Sequence, residues 1–64
     1  MYGVMIVDDE APIREWIKSL IPWQALGLRL SAEAGDSDTA WESFQAQRPK
    51  IVITDVNIPF ISGL

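Results

Sequence analysis

The chain has 64 residues, which allows one domain at most and excludes a large enzyme core, since at this length folding hides only about 60% of the surface the unfolded chain exposes. Hydrophobic residues make up 48% and charged residues 22%, too apolar for intrinsic disorder, while the uncharged stretches are too short to span a bilayer. Nine acids against five bases give a formal charge of −4, which repels phosphate backbones and makes nucleic acid an unexpected direct ligand; the absence of Cys and His removes disulfides, structural zinc and imidazole acid–base chemistry.

The N-terminus lacks the basic and apolar regions of a signal peptide, so a cytoplasmic address is expected. Val4-Met5-Ile6-Val7 is a continuous apolar run, rich in β-branched residues and ended by Asp8-Asp9, and it reads as a central parallel strand buried on both faces. Glu10-Ala11-Pro12 then opens a helix, with Pro near the first helical position and acids where the helix dipole favours them. Ile13, Trp16, Ile17, Leu20 and Ile21 recur at helical spacing, a stripe expected on the sheet, with Arg14, Glu15, Lys18 and Ser19 on the other side. Pro22 stops the helix, and Trp23 to Gly27 is expected as a packed loop.

From Leu28 to Ala34 the period changes to two: Leu28, Leu30, Ala32 and Ala34 on one face, and Arg29, Ser31 and Glu33 on the other, as in an edge strand. Gly35-Asp36-Ser37-Asp38 makes a turn with several N-cap candidates, followed by a helix whose apolar positions are Ala40, Trp41 and Phe44, ending before Arg48-Pro49. Ile51-Val52-Ile53 is a third strand, closed by Asp55, and Val56 to Gly63 is a loop punctuated by Pro and Gly. The order strand, helix, strand, helix, strand predicts an α/β fold with parallel pairing. Trp16, Trp23 and Trp41 belong to core faces or a packed loop rather than to a ligand site.

Parallel strands end on one edge of their sheet, where such folds bind ligands. If the first and third strands are neighbours, Asp8, Asp9 and Asp55 converge there. Two like charges about 4 Å apart repel by about 4 kcal/mol at an effective dielectric near 20, so the group would either shift its pKa values or recruit a cation. Oxygen-only ligands suit a hard ion, Mg2+ rather than an all-protein calcium cage, with Mn2+ substituting in vitro. Taken singly, Asp8, Asp9 and Glu10 are also what a helix start would carry, and Asp55 what a loop would carry.

Three segments, Val4 to Glu10, Pro49 to Asp55 and the Ile58-Pro59…Gly63 loop, closely resemble the first half of the receiver domain of two-component response regulators. The resemblance covers residues 1–64 as the N-terminal half of such a domain, and Leu20 to Gly27 is similar to receivers that precede an AraC-type helix-turn-helix output domain. It implies a flavodoxin-like parallel sheet, truncated to β-α-β-α-β with strand order 2-1-3. It further implies Asp55 as phosphoacceptor, Asp9 as a direct Mg2+ ligand, Asp8 as a ligand directly or through water, and the Asn57 backbone carbonyl as another, with Glu10 an accessory or capping acid. The partners so implied are a sensor histidine kinase and the protein's own output domain, with no membrane contact; the domain is a phosphoacceptor rather than an enzyme.

The hydroxyl residue and the Lys that the family carries at the ends of its fourth and fifth strands do not fall within these residues, and Lys18 and Lys50 read as solvated surface charge. Strand order 2-1-3 leaves Ile51-Val52-Ile53 as an exposed apolar edge, so a homodimer or swapped assembly through it is expected, and a non-catalytic association module is the alternative function. Phe60 and Ile61 suit kinase docking or packing equally. A phosphohydrolase of the haloacid-dehalogenase type is disfavoured, because Asn57 stands where that chemistry wants an acid.

Overall fold

The computed structural model describes residues 1–54, and the statements below concern those. The elements run β1 (Tyr2–Val7), α1 (Ala11–Leu20), α2 (Trp23–Leu26), β2 (Leu28–Ala34), α3 (Ser37–Gln47) and β3 (Ile51–Thr54). The three strands are parallel and ordered β2-β1-β3, so the apolar first strand lies in the middle, as its unbroken hydrophobic run requires. Val4, Met5, Ile6 and Val7 are wholly or almost wholly buried. On one face Met5, Val7 and Ala34 pack with Ala40 of α3, flanked by Ala32 and Phe44. The indole of Trp41 is half-buried and stacks on the Phe44 ring at 6.1 Å.

β2 does not keep one alternation from end to end. Its register against β1 shifts between Val4 and Met5: Leu30 pairs with Val4, but Ala32 pairs with Met5. Ser31 is the extra residue of this bulge, and a bulge reverses which residues face which side. Leu28 and Leu30 therefore share the face of Tyr2 and Val4, whereas Ala32 and Ala34 share that of Met5 and Val7, correcting the single apolar face expected from the spacing. The Ser31 hydroxyl donates to the Val4 carbonyl at 3.3 Å. Gly3 faces this bulge, and a Cβ there would come within 3.1 Å of the Ser31 side chain.

The orientation of α1 is a second correction. Ile13, Ile17 and Ile21 are half-buried, but Trp16 and Leu20 are 59% and 60% exposed. At 100° per residue, Ile13, Ile17 and Ile21 lie beside Arg14 and Lys18 on the helix surface, the side tied to β2 through the bonds of the two cations. Arg14 and Lys18, assigned to the solvent side by polarity, both bond Glu33 of β2. Trp16 and Leu20 are thereby turned outward, so Trp16 is not a core residue among the described ones.

The segment expected as a loop after Pro22 is the single helical turn α2, closed by Gly27 in the left-handed conformation at φ 66°. Trp23 is half-buried and its indole N–H donates to the Lys18 carbonyl at 3.0 Å, satisfying the end of α1, while Leu26 is exposed. α3 begins at Asp36, whose carboxylate accepts the Thr39 backbone N–H at 2.7 Å. It ends at Arg48, held left-handed at φ 47° before Pro49, which disfavours a further helical residue there. Among the described residues β3 is an edge strand, with Ile51 and Val52 40% and 37% exposed, as the strand order predicts.

Candidate functional site

The register fixes where the three strands stop. Val7 is level with Ala34 on one side and with Thr54 on the other, so all three carboxyl ends share one edge of the sheet. Asp8 is the first residue beyond the central strand. Its backbone N–H donates to the Ala34 carbonyl at 3.0 Å, continuing the pairing one residue further, and the residue is only 6% exposed. Its Oδ1 accepts the Glu10 N–H at 2.9 Å, which turns the chain sharply into α1.

Asp9 and Glu10 are exposed at this turn. Each of the three acids offers a carboxylate oxygen, and these oxygens lie within 4.8 Å of one another. Glu10 occupies the N-cap position of α1 in extended conformation, but its side chain makes no capping hydrogen bond. Its carboxylate belongs to the acidic group instead. Glu10, an accessory or capping acid by the resemblance, makes no side-chain cap, and the turn brings it together with Asp8 and Asp9.

A cationic brace that the sequence pattern did not indicate lies behind the acids. The Arg14 guanidinium donates through Nη1 to the Asp8 carbonyl at 2.6 Å and through Nε to Glu33 Oε1 at 3.1 Å. The other Glu33 oxygen takes Lys18 Nζ at 2.8 Å, and Lys18 also pairs with Glu15. The hydrogen bond from Lys18 holds the Glu33 carboxyl below its ordinary pKa, with Arg14 adding to the effect against partial desolvation. Glu15 and then Glu33 raise the Lys18 ammonium above its own. Lys18 is thus ion-paired rather than solvated, whereas Lys50 is exposed as expected. The legible signal was the i, i+4 pair Arg14 and Lys18 opposite one acid in the next strand, but polarity alone places such residues in water.

Asp55 and Asn57, with Phe60 and Ile61, lie outside the described residues. What the structure gives is the end of β3, level with the end of β1, from which the chain continues into Asp55.

A family model for the response regulator receiver domain matches residues 4–64. The chain belongs to that family. The receiver sequence is 38% identical over its full length to the uncharacterized transcriptional regulatory protein YesN of Bacillus subtilis (strain 168), of which it spans 17%. It is equally similar to the transcriptional regulatory protein HptR of Staphylococcus aureus, of which it spans 25%. A chain in the crystal structure of the P1 domain of CheA3 in complex with CheY6 from R. sphaeroides superposes with a TM-score of 0.79 at 33% identity, covering 97% of the receiver chain and 48% of the other. The strand order 2-1-3 and the flavodoxin-like reading therefore hold. No helix among the described residues is long and apolar enough to cross a membrane.

Proposed function

We propose that residues 1–64 are the N-terminal half of a receiver that takes a phosphoryl group on Asp55 from the phosphohistidine of a sensor kinase and so controls an output domain. The observation that supports this reading is the register of β1 with β3: Val7 lies level with Thr54, the residue before Asp55 in the sequence, so β3 ends on the edge where Asp8, Asp9 and Glu10 gather. In the transfer an Asp55 oxygen forms a bond to phosphorus as the phosphorus–nitrogen bond of the donor breaks, giving an acyl phosphate. The chain needs to do little more than place its carboxylate in line.

The acids fit Mg2+: they are hard oxygen donors, close together, with Asp8 anchored and Asp9 and Glu10 open to solvent. Asp8 and Asp9 would hold the ion with Asp55 and the Asn57 carbonyl, and Glu10 is a further donor within reach. Bound there, the ion supplies neutralising charge for the phosphoryl oxygens. The relatives are named as transcriptional regulatory proteins, and the chain spans a quarter or less of their length, which supports a DNA-binding output domain, of AraC type by the likeness of residues 20–27, in the remainder of such a protein. A cytoplasmic location goes with this reading.

Acetyl phosphate and Mg2+ test it. Intact mass should show one phosphoryl adduct on the native protein that carries this segment, lost in Asp55→Ala and on chelation of the metal; a native protein that never forms the adduct would sink the reading. A second reading, association through β3 without phosphoryl transfer, is favoured by the exposure of Ile51 and Val52 at the sheet edge.

A further inference from the structure

We infer that Arg14 is a positioning residue for the acidic site: oriented by Glu33, it grips the Asp8 carbonyl and thereby sets where the Asp8 and Asp9 carboxylates stand. This rests on the proposed metal-binding reading and adds to it a residue outside the ligand set.

The backbone around Asp8 is held at three points. Its N–H is tied to Ala34 of β2, its carbonyl to Arg14 of α1, and its side chain to the Glu10 N–H. The carbonyl that Arg14 holds belongs to the peptide joining Asp8 to Asp9, so rotation of that peptide would move both carboxylates. Arg14 is itself fixed: its side chain is 21% exposed, and its second contact is to Glu33, which Lys18 holds from the other side. Gly35 lies beside this contact: a Cβ there would stand in ordinary van der Waals contact, 3.4 Å from Arg14 Nη1 and 3.9 Å from the Asp8 carbonyl oxygen. A planar guanidinium can serve the carbonyl and the carboxylate together, whereas a lysine ammonium is a single point on a flexible stem.

Two effects of Arg14 on a bound cation have opposite signs. As a nearby positive charge it repels the ion, so its removal would tighten binding; as the support of a ligand-bearing peptide it helps, so its removal would weaken binding. Outer-shell partners of metal ligands typically contribute about 10–100-fold in affinity, and the short bond to the Asp8 carbonyl puts Arg14 in that class.

The experiment is calorimetric titration of Mg2+ into the native protein and its Arg14→Met and Arg14→Lys variants, joined to amide hydrogen exchange without metal. Arg14→Met should weaken Mg2+ about 10–100-fold, with Arg14→Lys, which keeps the charge that favours folding, between it and wild type. An Arg14→Met affinity equal to or tighter than wild type overturns the inference and leaves the metal site standing. Wild-type protein that binds no Mg2+ overturns the metal site instead, and the exchange data then decide the inference. Faster exchange of the Asp9 and Glu10 amides, with Met5 and Ile6 unchanged, upholds the positioning of this turn; a uniform rise, or none, overturns it.

Discussion

Glu33 is one carboxylate serving two cations, and its consequence for stability is a matter of pH. Its pKa is lower in the folded chain than the ordinary 4.5, chiefly through the Lys18 hydrogen bond. The stabilisation that follows is complete above about pH 4.5 and disappears as the pH falls through the lowered folded value. The Lys18 side of the pair works in reverse: its pKa is raised from 10.5, so its contribution is present below that value and is lost as the pH rises through the folded one. Urea unfolding of wild type and Glu33→Gln should therefore differ at about pH 7, and the gap should shrink as the pH falls below about 4.5 and through the lowered folded value, where the carboxyl becomes neutral like the amide. A gap that persists unchanged at low pH would show that the ion pairs do not carry the difference. Solvent reaches both groups, which keeps the effect modest.

Among the elements, the two longer helices are attached to the sheet in different ways. α3 is held by apolar packing, with Ala40 wholly buried in the cluster of Met5, Val7 and Ala34. α1 has no buried residue and is joined through half-buried isoleucines and the bonds of Arg14 and Lys18 to Glu33. In the 64-residue chain, Ala40→Leu should cost about 1–3 kcal/mol by overfilling a closed site. Trp16→Gln, at an exposed position, should stay within about 0.5 kcal/mol of wild type. Denaturant midpoints at fixed slope decide this, and a larger loss from the tryptophan would refute the orientation given to α1. α3 also follows its local signals more closely: the Asp36 cap and the stop before Pro49 appear where residue chemistry puts them. For α1 the start at Ala11-Pro12 was equally legible, but its facing was not.

For the whole molecule the governing fact is a three-stranded sheet whose edges, among the described residues, are β2 and β3. β3 presents Ile51 and Val52 partly exposed, the kind of surface that pairs with another chain. On the association reading, sedimentation of the 64-residue chain at micromolar concentration should show self-association, reduced by Val52→Lys; a stable wild-type monomer would remove that reading. The sequence by itself determined the succession of strands and helices and their parallel pairing, the central character of Val4 to Val7, and the setting of Asp8 and Asp9 at the end of that strand, because apolar runs, caps and breakers act over a few residues, whereas the order 2-1-3 came with the resemblance to receiver domains. Only the tertiary structure decided the bulge at Ser31, the outward turn of Trp16 and the grip of Arg14 on the Asp8 carbonyl. Periodicity tells which residues share a face, but the direction that face takes depends on partners distant in the chain, and here Glu33, 19 positions from Arg14, set it.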